Sequence, residues 1–421
     1  MPEIDRAVEN ATPVQGQAPK VSSGERYRRL SCYMPVELAL EPEVAAPVLR
    51  PVYRLVYTSK RWKLVSFLFA AMIVKTGVWC MPNISSYRQI AQWPFFNPLV
   101  PDAHYLFWSW LGPFLAWALR AEGPVSFFLL HLLFSLAFTA LFVLVAFSRL
   151  EEEYARTSLV MFFVLPVSGT AYFWVGGDSL TLLLMMAALA VSRSLPATLL
   201  AGVALGMQHF EQGFLATGAL LLAMSWNRLQ HRATILEYSI RWAATLLAGV
   251  IAGKVVLVGI FRHAHIAVNS GRAFWMHAHF YWLLGRFQNH FQVILYSILG
   301  VGWVLVIKYA EWGRKALPFL VALSGLLLLL LITGDHTRVG AIVTFPLLTV
   351  YLLLNREYLY SVAAPMVCWI VVAWLVIPYV WVWGGLPKWS VFPYDVTLLL
   401  HKAFGWFKIP PDLAMWPFSK G

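Results

Sequence analysis

From residue 64 onward, apolar residues come in long, nearly unbroken runs, and polar residues gather at the joints between them. The runs are continuous rather than alternating, which argues for helices over strands. Runs such as Val125–Phe147, Trp242–Phe261 and Pro318–Thr333 approach the roughly 20 residues a helix needs to cross about 30 Å of hydrocarbon. Lipid admits only helices and closed barrels, so the pattern predicts an all-α polytopic membrane protein. We place about eleven transmembrane helices, at 64–81, 124–147, 157–174, 179–193, 196–209, 213–226, 240–261, 291–308, 317–333, 339–354 and 358–382. Two of them, 179–193 and 196–209, are short for a full crossing and are expected to thin the bilayer or sit among their neighbours.

The joints are unequal. Between the first two spans lies a segment holding His104 to Arg120, apolar, rich in tryptophan and interrupted by Gly112-Pro113. It predicts a helix lying at the membrane interface. The stretch 262–290 is dense in histidine and aromatics. Residues 1–55 lack sustained periodicity and are expected to be a disordered cytoplasmic tail, without the layout of a signal peptide. The span-bearing region is 56–385, and 386–421, mixing aromatics, Pro and Lys, is an expected outer-face tail.

Charge supplies the orientation. The net charge of +12 does not mark a nucleic-acid binder, because the basic residues flank the spans. Fifteen fall on the side of the N-terminus: Arg50, Arg54, Lys60, Arg61, Lys63, Arg149, Arg156, Arg193, Arg228, Arg232, Arg241, Lys308, Arg314, Lys315 and Arg356. Six lie in loops of the other side: Arg88, Arg120, Arg262, Arg272, Arg286 and Arg338. The positive-inside rule then puts the N-terminus in the cytoplasm and, with an odd number of spans, the C-terminus outside. The composition agrees: 60% of residues are hydrophobic and 12% charged, against about 25% charged in soluble domains.

With that orientation, the chemistry-bearing residues collect on the outer face. Asp102 precedes the interfacial segment, with His104 two residues on; by itself an aspartate there fits a helix N-cap. Asp178 follows Trp174-Val-Gly-Gly and opens a helix, a position that suits a cap equally. Gln208, His209, Glu211 and Gln212 fall within five residues at a tight helical joint, more polarity than a turn requires. In Asp335-His336-Thr337-Arg338, Asp335 can cap the next helix, but Arg338 opposes the helix dipole there and suits the forked binding of an anion such as phosphate. The pairs His263-Ala-His265 and His277-Ala-His279 could converge on zinc; among so many aromatics they fit contact with sugar or headgroup better, and His277 and His279 are candidates for lipid phosphate. Lys75 and Lys254 lie inside spans, near their outer ends, where each can snorkel or hold a lipid phosphate. No resident cofactor is called for, and a divalent metal is the less favoured option.

A first helix, a long outer segment with an early acidic residue and an interfacial helix, and then many spans resemble the GT-C superfamily of polytopic glycosyltransferases over about 60–385. The resemblance implies a polyprenyl-phosphate-linked sugar donor, an outer-face active site and an aspartate base, matched here by Asp102 in Pro101-Asp-Ala-His-Tyr105. Asp102 lacks the acidic neighbour of many members, and the soluble C-terminal domain common in the family is not expected in 386–421. The expectation is an inverting hexosyltransferase of the bacterial inner membrane acting on a cell-envelope glycan or glycolipid. Asp102 would be the base, Arg338 and His336 the donor-phosphate ligands, and His209 and Glu211 the sugar contacts, with Gln208, Asp178 and Asp335 beside them. The chemistry is self-consistent: a carboxylate accepts the proton of the acceptor hydroxyl, and cations stabilise the charge growing on the phosphate. Alternatives are a polymerase or ligase of lipid-linked glycans, or a transporter or flippase, which would carry broken helices near mid-membrane and two similar halves.

Overall fold

The computed structural model describes residues 47–79, 81, 84–96, 106–231, 233–267, 271–383 and 386–389. Asp102 and His104 lie outside the described residues, as do 1–46 of the expected N-terminal tail and 390–421 of the C-terminal one. The start of the described chain is helical where composition suggested tail: Pro47–Leu49, Arg50–Tyr53 and Arg54–Thr58 form consecutive helical turns. Arg156 holds them, donating to the carbonyls of Val56 and Ser59 at 2.8 Å each.

The helices that follow are α1 (Arg61–Thr76), α2 (Ile84–Gln92), α3 (Leu111–Ala118), α4 (Pro124–Arg149), α5 (Glu152–Val164), α6 (Pro166–Phe173), α7 (Gly177–Ala190), α8 (Leu195–Leu229), α9 (Ile240–His263), α10 (Gly271–Leu299), α11 (Trp303–Ala310), α12 (Leu317–Leu328), α13 (His336–Leu348), α14 (Arg356–Tyr360) and α15 (Ala364–Val376). A short antiparallel hairpin of β1 (Val380–Trp383) and β2 (Leu386–Trp389) closes the described chain. Among the described residues, four helical stretches are long and apolar enough to cross a membrane: Pro124–Arg149, Ile240–His263, His279–Ala310 and His336–Leu353. The protein is a helical membrane protein.

Burial separates centre from rim. Every residue of α6, and α5 from Ala155 onward, is buried, as helices apolar all round must be when they sit inside a bundle. On the rim, Leu133 and Leu144 of α4 stay 58% and 66% exposed, and Val255 of α9 66%. Rows of exposed aliphatics on such apolar helices form the surface that faces lipid.

The ends of the helices differ in chemistry. At one end Arg61 and Arg156 both pair with Glu152, Lys315 with Glu357 and Arg356 with Glu237. At the other end lie Asp178, Asp335, Arg338, Gln208 and Glu211. Helix α8 begins and finishes at the basic end because it reverses at His209, whose backbone (φ −159°, ψ 84°) is not helical. The reversal is visible in the packing: a Cβ on Gly213 would stand 3.0 Å from Leu205 Cγ, whereas eight residues of straight helix would separate them by about 12 Å. The predicted joint between 196–209 and 213–226 is therefore a helical hairpin. Its first limb packs on α9 almost backbone to backbone. A Cβ on Gly206 would meet the Val250 carbonyl at 2.1 Å, and one on Gly253 the Val203 carbonyl at 2.2 Å. Small residues permit this close packing where no hydrophobic force draws helices together.

Four predicted spans are shaped differently from a plain rod. The span 64–81 stops at Thr76, because Gly77 (φ +72°) turns the chain and Trp79 then pairs in extended form with Tyr172 and Val175. The span 157–174 breaks at Leu165, which is extended before Pro166, since proline lacks an N–H and disfavours a helical predecessor. The freed carbonyls of Phe163 and Val164 accept from the Tyr379 hydroxyl at 3.2 and 2.8 Å. A second break, Gly300–Gly302, lies against this one: Gly300 takes φ +54°, and a Cβ on Gly302 would fall 2.4 Å from Leu165 Cδ2. Finally, 358–382 is divided into α14, α15 and β1, with Pro365 opening α15 and Ile377, extended before Pro378, ending it.

Candidate functional site

The turn Trp174-Val-Gly-Gly delivers Asp178 to the first turn of α7, fixed from outside by two strand-like bonds, Val175 N–H to the Trp79 carbonyl (2.8 Å) and Met81 N–H to the Val175 carbonyl (3.2 Å). Asp335 precedes α13. Asp335 is the N-cap residue of α13, yet its side chain does not cap that helix, and Asp178 sits one residue inside α7, whose N-cap is Gly176. Both aspartates instead face Arg338, one turn into α13: Nε lies 3.1 Å from Asp178 Oδ2 and 2.8 Å from Asp335 Oδ2. A cation near a helix N-terminus, unfavourable by itself, is thus held by two carboxylates. The guanidinium also touches Met81 Sδ at 3.9 Å and lies 5.9 Å from the Trp174 ring.

Beside this triad is a small pocket of about 10 Å³ with Thr170, Trp174, Asp335, Arg338 and Trp381 in its wall, room for about one water. Trp381 stacks flat on Phe173 at 4.1 Å. Burial pushes the Asp335 carboxyl up to about 6, despite the pull of Arg338 and with Asp178 adding to the rise. Two carboxylates around one guanidinium, one of them titrating near neutrality, can hold or release a proton at Asp335.

A second cluster forms at the α8 reversal. His209 Nδ1 is 3.6 Å from Glu211 Oε2, and Lys254 Nζ 3.9 Å from Glu211 Oε1. The Lys254 ammonium also sits over the Trp108 ring, 3.3 Å from its centroid, a cation–π contact. Trp108 belongs to the predicted interfacial segment, which here is a short turn, Phe107–Ser109, followed by α3. Gln208 ties the clusters to that segment: Oε1 accepts from Gly112 N–H at 2.7 Å, and Nε2 donates to the Gly177 carbonyl at 2.8 Å, next to Asp178. Its two polar atoms are spent on the frame.

The structure thus brings together Asp178, Asp335 and Arg338, and separately His209, Glu211 and Lys254. It does not bring His336 to Arg338: two positions apart on a helix, their side chains leave on roughly opposite faces. His336 is fully buried, 6.3 Å from the Phe287 ring, and neither ring nitrogen has a hydrogen-bond partner among the described residues. Lys75 donates to the Ile377 carbonyl at 2.8 Å and is buried, an anchor between α1 and the end of α15. His277 and His279 are exposed on α10. Sequence reasoning missed Trp381, whose Val-Trp-Val-Trp alternation carried a strand signal, and the aromatic partner of Lys254. Among the described residues, no three of His, Cys, Asp and Glu converge as a metal site. No protein-family model, curated protein or solved structure matches the chain.

Proposed function

We propose that this protein is a polytopic glycosyltransferase of the GT-C kind, with eleven membrane passes, the basic end in the cytoplasm and the Arg338 end on the outer face of a bacterial inner membrane. It would move a sugar from a polyprenyl phosphate to a glycan or glycolipid. The observation that carries the reading is Arg338 shared between Asp178 and Asp335 beside an aromatic wall, at the end away from the basic loops.

In the transfer, the acceptor oxygen bonds to the anomeric carbon, and the carbon–oxygen bond to phosphate breaks with its electron pair left on the phosphate. The acceptor proton goes to a carboxylate, assigned by resemblance to Asp102. Asp335 is the described carboxylate suited to the same step, since it titrates near 6. A proton arriving on Asp335 loosens its hold on Arg338, so the guanidinium becomes free to meet the departing phosphate as charge builds there. Lys254 and Glu211, beside Trp108, would contact sugar.

One observation favours a transporter: the breaks at Leu165 and Gly300 meet inside the bundle, as discontinuous helices do around a substrate. Against it, the freed carbonyls are taken by Tyr379 and Ser168.

The test is consumption of a panel of polyprenyl-phosphate sugars by the detergent-purified chain, with Asp102→Asn, Asp335→Asn and Arg338→Lys. One donor turned over by the wild type, with a loss of at least about a hundredfold in one aspartate variant and in Arg338→Lys, is expected. Donor binding without turnover by the wild type would overturn the enzyme reading in favour of transport.

A further inference from the structure

We infer that a second cleft, at the basic end, binds the phosphate headgroup of an anionic phospholipid. It has a volume of about 440 Å³, and its lining includes Arg149, Arg193, Arg241 and Arg356 with one carboxylate, Glu237. Four guanidiniums against one carboxylate leave an excess of three positive charges. The residues come from four separate parts of the chain, around 148–149, 192–195, 237–241 and 356. A topology signal needs basic residues only somewhere in the loops; it does not require them to converge on a cavity.

Two of the arginines build the cleft and two line it free. Arg149 Nη2 donates to the carbonyls of Leu189 and Ala190, at the last turn of α7, and to the Ser192 hydroxyl, each at 2.9 Å. Its guanidinium carbon stands 5.1 Å from the centre of the Tyr238 ring. Arg356 bonds the Arg149 carbonyl and has Nε 3.1 Å from Glu237 Oε1. Arg193 and Arg241 are exposed and have no ion-pair partner among the described residues. They bracket the starts of α8 and α9, whose caps are Ser194 and Ser239. Cations there gain nothing from the helix dipoles. Two helix N-termini and paired forks of donors instead favour a phosphate in the space between them.

Depth identifies the source of that phosphate. Arg149 ends, and Ile240 begins, two of the helices long and apolar enough to cross a membrane, so the cleft lies at headgroup level. Leu144, about a turn inward on α4, and Leu200, about a turn inward on α8, are 66% and 69% exposed, an apolar path for an acyl chain below the head. Basic pockets between transmembrane helices are a recurrent form of anionic-lipid site. The inference is independent of the chemistry proposed at Arg338.

The experiment is native mass spectrometry of the full chain after exchange into phosphatidylglycerol or phosphatidylcholine at equal concentrations. It compares the wild type with Arg193→Gln/Arg241→Gln and with Arg228→Gln/Arg314→Gln. The last pair removes the same charge from exposed positions outside the cleft. Retention of phosphatidylglycerol over phosphatidylcholine is expected, weakened roughly thirtyfold in the first variant, as loss of two surface charges implies, and nearly unchanged in the second. Equal retention of both lipids, or equal loss in both variants, overturns the inference. Displacement of phosphatidylglycerol by millimolar inorganic phosphate also overturns it and assigns the cleft to a soluble anion.

Discussion

At the scale of single residues, the arrangement around Arg338 has a measurable electrostatic consequence. Asp335 keeps 16% of its side chain exposed, and folding lifts its pKa from 3.8 to about 6. The folded chain therefore binds this proton more tightly than the unfolded one, so stability falls as pH rises from about 4 through 6 and levels off above. The full penalty above pH 6 is on the order of 3 kcal/mol. Asp335→Asn removes it. In detergent thermal-unfolding scans, that variant should melt higher than the wild type at pH 8, and the two should converge near pH 4, where wild-type Asp335 is already protonated. A variant that melts lower than wild type at pH 8 would show that the Arg338 pairing outweighs burial. A stability cost at the proposed base would be the usual exchange between stability and activity.

At the scale of elements, the glycine contact between α8 and α9 holds the reversal at His209 in place. Gly206→Ala forces a methyl group toward the Val250 carbonyl, and the neighbouring backbone cannot rotate away as a side chain would. Overpacking of this kind costs roughly 1–3 kcal/mol. Gly218 lies in the second limb of the same hairpin, and a Cβ there would meet nothing within 4 Å. Gly218→Ala should hold or slightly raise the melting temperature while Gly206→Ala lowers it by several degrees; equal effects would refute close backbone packing as the cause. The elements also show what a sequence can disclose. The polar group Gln208 to Gln212 marked the reversal, because a lipid-facing helix has no use for four polar side chains in five residues. Pro166 marked the break between α5 and α6 but was lost inside an apolar run. The role of Lys75 was not legible, since its acceptor is a backbone carbonyl 302 residues away. Nor was the pairing of Asp178 with Arg338: each aspartate fitted a cap locally, and only the tertiary fold shows both carboxylates turned to one arginine.

At the scale of the whole molecule, the two ends carry different chemistry, and everything proposed for them depends on how often the chain passes between. The decisive element is α8. As one straight rod, its 35 residues would run about 52 Å, far beyond a hydrocarbon core of about 30 Å, and would put Arg193 and Arg228 on opposite sides of the membrane. Reversed at His209, it returns both to one side and leaves Arg262, at the far end of α9, on the other. The prediction is read by single cysteines at 193, 228, 262 and 314 in a chain whose Cys32, Cys80 and Cys368 are replaced, labelled in intact spheroplasts with a membrane-impermeant maleimide. Arg262→Cys should react from outside, and Arg193→Cys, Arg228→Cys and Arg314→Cys only after permeabilisation. Labelling of Arg193→Cys and Arg228→Cys from opposite sides would remove one crossing and invert the face assigned to Asp335 and Arg338. Labelling of all three inner positions from outside would keep the fold and turn the molecule over, moving the proposed lipid-phosphate cleft to the outer leaflet and the proposed sugar chemistry to the cytoplasm.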